Sequence, residues 1–441
     1  MDNLENLVKK YIKPGYEYEV FFERVKKLKI EVSNEQVENV SSSEERGIGI
    51  RVLKDKRLGF SYTSFLGEEE IKDTVEKAME MCEIQEPDEA NGFIEKLKPS
   101  KAVSVYDEES LSIPLQEKME IPVKMEKYAK ELDKRIVGVR KSTLTEVEFE
   151  VRSFNSFGVE FGYRGTSYTS MIATLGTEND DSAISWEFRG ARRLKNLNWK
   201  SMVEDAVFKT VNLLHPSPFE TRSMPVVFFR ESFAMLLDAF SPMFLGDYLV
   251  KGKTLLKDKV NEIVASEKIT LVDDGSMEEG FSTFPYDAEG VPTRKNLLID
   301  KGVFKGFLHS LYTARKSSQE PTGNSVRGSY KELPSSGTTN FYLEKGNLSF
   351  EELLSYYDEV FLVLEVMGLH TVDTISGDFS LGCSGILYKK GKKDKTVRGI
   401  TVAGNILDLL KNVEEVGNDL TFYGSVGSPS VLVKKLTLGG G

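Results

Sequence analysis

Side chains that bind metals or do redox work are scarce in this chain. Its 441 residues include two cysteines, Cys82 and Cys383, and three histidines, His215, His309 and His370. Two cysteines cannot build a disulfide framework or a multi-cysteine zinc or iron–sulfur site. Three histidines so far apart in sequence could serve a metal only if the fold gathered them or carboxylates replaced them. Positive charge is also in deficit, with 58 Lys+Arg against 69 Asp+Glu and a net charge of −11. The chain as a whole therefore has no cationic footprint for nucleic acid, and none is expected as a direct partner. Long apolar runs are missing too. The longest, such as Val226–Phe229 and Val360–Leu364, fall far short of the ~20 residues that span a bilayer. The N-terminal stretch MDNLENLVKKYIKPG is charged and has no apolar core, unlike a secretory signal. A cytoplasmic protein with reduced thiols, not attached to a membrane, is expected.

What is present is a charged fraction of 29% with 40% apolar residues, the balance of a soluble globular protein. The length suggests about two to four domains. Leu4, Leu7, Val8, Tyr11 and Ile12 share a helical face, and Pro14-Gly15 ends that helix. From Tyr16 to Phe65 the apolar period falls to two, as in an antiparallel meander, with turns near Ser33-Asn34 and Lys54-Asp55. Ile71, Val75, Ala78, Met79 and Cys82 then form a second helical stripe, which makes Cys82 a small core residue. Residues 87–110 are acidic and unpatterned, a connector. A helix over residues 122–134, strands over 136–193 with turns at 155–158 and 178–181, and a helix over 199–214 repeat the same order. This spacing suggests a pseudo-repeat, although no residue-level repeat accompanies it.

His215-Pro216-Ser217-Pro218 marks a boundary, because two prolines in four residues favour an extended linker. Beyond it glycine becomes frequent and strands dominate, with helical pieces near 231–240, 350–357 and 406–413. The expected fold class is α+β. An N-terminal part of residues 1–215 would hold helices on antiparallel sheet in two helix–meander–helix segments, about 1–86 and 111–215. A C-terminal part, 222–441, would be mostly antiparallel β with a few helices.

Several motifs fail on their spacing. Gly246 and Gly252, before Lys253-Thr254, are separated by five residues where a phosphate-binding loop needs four. The acidic run Asp273-Asp274-Gly275, with Glu278 and Glu279, lacks the spacing of a calcium loop and reads as a solvated turn. Cys383, in a glycine-flanked turn, could act as a nucleophile with His370 as base and Asp378 to orient it. Replacement of a small core residue explains Cys383 more simply.

The C-terminal part carries glycine-rich segments in a specific order: Val264–Gly275 (VASEKITLVDDG), Tyr286–Arg294 (YDAEGVPTR), Tyr312–Lys316 (YTARK) and Pro321–Asn324 (PTGN). Thr339–Gly346 (TNFYLEKG), Ser376–Gly385 (SGDFSLGCSG) and Thr401–Asn405 (TVAGN) follow. In this order and spacing they resemble the TldD/PmbA family, historically called modulators of DNA gyrase. Gly47–Arg51 (GIGIR) extends the likeness into the N-terminal part. The resemblance implies a cytosolic peptidase of two paralogous subunits that acts on unfolded or flexible peptides. One subunit, TldD, carries zinc on a helical H-E-x-x-x-H motif with a C-terminal cysteine; the other, TldE or PmbA, lacks the motif.

Ungapped counting from Val264 places that motif on Leu237–Pro242. Leu237 and Pro242 then stand at the two histidine positions and Asp238 at the glutamate, and neither leucine nor proline offers a side-chain ligand. The segment from Gly417 to Pro429 lacks Cys and His. The resemblance thus implies a TldE/PmbA-type subunit without a metal of its own, with zinc only in a TldD-type partner. Homo-oligomers would also be possible. Arg294, Asn324, His370 and Asn405 are the family-segment polar residues that could line a groove for extended peptide. Two alternatives stay open: an autonomous peptidase using Cys383 and His370 or a metal shared between chains, and a gyrase-modulating binding protein.

Overall fold

The computed structural model describes residues 2–440. Elements are numbered in chain order. The helices α1 (Asp2–Tyr11) and α2 (Glu68–Ile84) bracket the strands β1 (Glu17–Ser33), β2 (Gln36–Lys54) and β3 (Arg57–Thr63). After a short α3 (Glu108–Leu111), α4 (Leu115–Leu132) and α5 (Trp199–Asn212) bracket β4 (Ile136–Asn155), β5 (Glu160–Glu178) and β6 (Asp181–Ala191). All six strands form one sheet in the order β3-β2-β1-β4-β5-β6, and β1 and β4 pair antiparallel at its centre. The two helix–meander–helix stretches therefore meet strand to strand, with mirrored strand order on either side.

The turns follow from local chemistry. Asn34-Glu35 and Asp55-Lys56 close two-residue hairpins with both residues at positive φ, the geometry that matches the twist of the flanking strands. The period-two pattern sorts the side chains onto two faces. Val20, Ile48, Ile50 and Phe154 pack beneath α1 and α2, together with Ile71, Val75, Ala78 and Cys82. Gly59 lets α2 approach β3, since a Cβ there would stand 1.9 Å from the Ala78 carbonyl oxygen. On the opposite face Phe21 and Val151 pack against Ala288 and Tyr330 of the C-terminal half.

In that half, β7 (Arg222–Phe228), β14 (Glu359–Met367), β15 (Asp378–Lys389), β16 (Lys392–Asn405) and β20 (Val431–Gly439) hydrogen-bond in the order β16-β15-β14-β7-β20. A further β16–β20 pairing closes the ring, and β17 (Val413–Val416) adds to β20. A second sheet runs β10 (Val303–Phe304), β9 (Lys295–Asp300), β8 (Leu271–Asp274), β13 (Phe341–Leu343), β19 (Val426–Ser428), β18 (Thr421–Tyr423). The short β11 (Ser325–Val326) and β12 (Ser335–Ser336) pair beside it. Pairings are antiparallel except β7–β14 and β13–β19. α6 (Arg230–Phe240) touches strands of both sheets. Its Phe233, Leu236, Leu237 and Phe240 lie on one stripe and enter the shared core. Four short helices, α7 (Gly246–Val250), α8 (Leu311–Lys316), α9 (Phe350–Ser355) and α10 (Ile406–Lys411), complete the chain.

The fold is α+β with mainly antiparallel sheet, as the periodicities indicate. Three local readings are corrected. The fourth helix begins at Leu115, not at residue 122, and runs through the buried Pro122; packing against the sheet outweighs the backbone bond that proline omits. Residues 87–107 are irregular but not a free connector. Phe93 and Val105 are buried, and Arg315 donates to the Ala90 and Phe93 carbonyls at 3.1 Å each. The acidic run is a solvated turn only from Gly275 onward, where Glu278 and Glu279 are exposed; β8 carries Asp273 into the interior with no exposure.

Candidate functional site

The position of the resembling metal motif is the C-terminal end of α6. Leu237 points into the core and is 3% exposed. Asp238 is on the exposed side of the same turn, where partial desolvation raises its carboxyl. Pro242 stands in a 3-10 turn, Ser241–Phe244, that ends the helix. β18 and β19, formed by the segment that follows Gly417, pack against α6. The fold thus brings the two motif segments together, although they are far apart in sequence. Among the described residues, no three His, Cys, Asp or Glu side chains converge as a metal-holding group.

Behind the N-terminal end of α6 is a buried charged network that the sequence reading missed. Lys209 of α5 is inserted between Glu187 of β6, at 3.0 Å, and Glu231 of α6. Arg189 reaches Glu187 at 2.8 Å and Asp205 at 2.5 Å, and Arg230 joins Asp205 to Asp419. Burial opposes the Lys209 charge, but Glu187 and Glu231 outweigh it and raise its pKa. Burial pushes Glu231 up to about 8, with repulsion from Glu187 adding to the shift. A charged residue alternating with apolar ones in a strand, as in Ser185–Arg189, was the available signal.

Of the groove candidates, Arg294 and Asn324 come together. Arg294 Nε donates to Asn296 Oδ1 at 3.1 Å, and Asn296 Nδ2 donates to Asn324 Oδ1 at 3.0 Å. Asn324 is 1% exposed and donates to Asp273 at 2.7 Å. It secures the fold between β8 and β11, whereas Arg294 lines an open recess of about 760 Å³ with His309 and Thr322. His309 is buried, which lowers its pKa to about 4.

Asn405 and His370 are elsewhere. Asn405 caps α10 by accepting from Leu407 N–H and donates to Asp378 at 2.9 Å. His370 is exposed in a 3-10 turn after β14. The four candidates therefore do not form one hydrogen-bonded group. Cys383 is fully buried in the core, and burial pushes its thiol up to about 12. Asp378 is engaged by Asn405, not by His370.

A second, smaller pocket is where the N-terminal sheet of β1–β6 meets the C-terminal half. It has a volume of about 320 Å³. Its sheet wall is Phe21, Glu23, Phe149 and Tyr163, and Phe284, Tyr286 and Arg327 face them. Beside it Arg51 bridges the halves, binding Glu19 at 2.6 Å and Glu289 at 2.9 Å. Arg327 also pairs with Glu19. All four side chains are at most 5% exposed. Arg51 belongs to the Gly47–Arg51 segment, so its placement gives that segment a physical role.

Two buried carboxyls nearby make stability depend on pH. Burial raises Asp287 to about 7, with Glu289 adding repulsion, and raises Asp273 to about 6 against the Thr339 and Asn324 hydrogen bonds. Unfolded aspartate titrates near 3.9. These two carboxyls therefore hold more protons in the native state between these values, and the stability they contribute is present on the acid side and lost as pH rises through 6 and 7. Urea midpoints should decline from about pH 5 to pH 8, and Asp287→Asn should flatten the slope. A slope unchanged in that variant would refute this assignment.

Three domain models match the sequence: PmbA/TldA metallopeptidase domain 1 at residues 18–82, the central domain at 108–214 and the C-terminal domain at 221–440. The metalloprotease PmbA of Escherichia coli O157:H7 is 26% identical over 92% of this chain and 88% of its own length. The metalloprotease TldD homolog of Buchnera aphidicola subsp. Schizaphis graminum is 25% identical over 90% and 87%. The crystal structure of TldE from Thermococcus kodakarensis superposes with a TM-score of 0.90 at 27% identity, covering 100% of this chain and 99% of that one. The order of the glycine-rich segments, the closed ring of strands and the helix between two sheets agree with these matches: the chain belongs to the PmbA/TldD metallopeptidase family.

Proposed function

We propose that this chain is the metal-free, TldE/PmbA-type subunit of a two-subunit peptidase. It pairs with a zinc-bearing TldD-type chain in the cytoplasm and helps hold unfolded or flexible peptide for cleavage by its partner. One observation carries this reading. At the motif position, Leu237 is a buried apolar side chain and Pro242 ends the helix, so Asp238 is left without a companion ligand. A zinc ion needs three or four donors, and these residues do not fit one. The TldE likeness over the whole chain supports the same reading. The buried Cys383, with its raised thiol, argues against an autonomous cysteine peptidase, because the thiolate is the nucleophile.

The test is metal analysis and casein hydrolysis with the purified chain, alone and mixed with a TldD-type subunit. The lone chain should hold no stoichiometric zinc and should not cleave. The mixture should cleave, lose activity to a chelator and tolerate Cys383→Ala. Chelator-sensitive hydrolysis by the lone chain would overturn the proposal.

A further inference from the structure

Among the described residues, Arg327 is the buried cation with the most unpartnered donors. Its side chain is 1% exposed and lies over the Phe21 ring at 4.5 Å. One nitrogen, Nη2, donates to Glu19, while Nε and Nη1 have no hydrogen-bond partner. Unmatched buried donors are costly, and these belong to a residue that lines the pocket between the halves. Ser325 Oγ, on the same wall, is likewise unpartnered.

The surrounding charge favours an acceptor. Arg51 and Arg327 are balanced by Glu19 and Glu289. Arg192 has no carboxylate beside it. It donates to the carbonyls of Thr166, Gly280 and Thr283, and lies 4.8 Å from the centre of the Phe284 ring in the pocket wall. Two acids also face the space. Asp287 is committed to the backbone N–H groups of Glu289, Val291 and Ser325, and Glu23 accepts from Tyr330 N–H. Burial favours the neutral form of both. Aromatic rings from Phe149, Tyr163, Phe284 and Tyr286 make up much of the remaining wall, with Val147 and Val151 beside them. A volume of about 320 Å³ is at the small end of the ~300–1,000 Å³ range of ligand sites. It suits one or two residues and not a long segment.

We propose that this pocket takes the C-terminal residue of a peptide, with its apolar side chain among the aromatic rings and its terminal carboxylate on the free edge of Arg327. The proposal deepens the peptide-handling reading above, and its test needs neither the partner subunit nor proteolysis. Pairing with a TldD-type chain and zinc content therefore bear on that reading without deciding this one.

The test is calorimetric titration of the lone chain with the tripeptide alanyl-alanyl-phenylalanine, as free acid and as C-terminal amide. The acid should bind about tenfold or more tightly than the amide, the scale of one charge-assisted hydrogen bond. Arg327→Lys, which keeps the charge beside Glu19 but loses the planar donors, should erase most of that preference. Ala288→Leu fills the pocket from a position outside the ion pairs and should weaken both ligands about tenfold or more. Equal binding of acid and amide, or no binding of either at millimolar concentration, overturns the proposal. So does tight acid binding that survives Ala288→Leu. If Arg327→Lys fails to fold, the acid–amide comparison on the unaltered chain and Ala288→Leu still decide it.

Discussion

Lys209→Met should destabilise the protein by about 3–5 kcal/mol, the cost of leaving buried charges without their partner. Lys209 is 1% exposed in its side chain and holds Glu187 and Glu231, which are 0% and 4% exposed. It also donates to the Trp186 carbonyl at 2.6 Å. Methionine fills a similar volume, so the loss isolates charge from packing. Replacing Glu231 as well, in Lys209→Met with Glu231→Gln, should recover part of the loss, because a carboxyl that burial and Glu187 already disfavour ionising no longer opposes the Glu187 charge. Urea unfolding of the single and double variants measures this. A loss below about 1 kcal/mol in the single variant would show that the network is hydrated and behaves like surface pairs. Lys209 ties α5 of the N-terminal half to α6, so the variant also probes how α6 is anchored.

Arg51→Met should have a comparable effect, about 3–5 kcal/mol, for a related reason. It strands Glu289 and leaves Arg327 alone to compensate Glu19, both carboxylates being 5% exposed or less. The location of the loss should differ. Arg51 is on β2, whereas Glu289 is in the C-terminal half and also accepts from Leu311 N–H at the start of α8. Hydrogen exchange should therefore accelerate on both sides of the pocket, at Glu19–Phe22 and at residues 287–291, before it does so in the closed ring of strands. Exchange that rises only within the six-stranded sheet would refute a bridging role for Arg51.

The sequence determined a good deal by itself. Period-two runs of Val, Ile and Phe cannot bury one face except as strands, and the stripes at Ile71–Cys82 and Phe233–Phe240 cannot do so except as helices. The α+β class, the hairpin turns and the paired helix–meander–helix order follow from that periodicity. The order of the glycine-rich segments carried the family. The resemblance set Leu237 and Pro242 at the positions of the family's metal donors, and the sequence alone shows that neither side chain can donate a lone pair to zinc.

Tertiary structure decided what depends on which distant residues share a space. Arg294 and Asn324 meet through Asn296, while His370 and Asn405 are elsewhere, and no sequence spacing states this. Asp273 looked solvated because its neighbours Asp274, Glu278 and Glu279 are acidic, yet Asn324 and Thr339 give its carboxylate enough donors to be buried. Arg51, Glu19, Glu289 and Arg327 come from three separate segments, and Lys209, Glu187 and Glu231 from three others. Each is only a charged residue among apolar ones until the sheet, helices and loops close around it. The physical reason is the range of the forces. Periodicity and turn chemistry act over a few residues and are written in order along the chain, whereas the free energy of a buried charge depends on every group the fold places within a few ångströms of it.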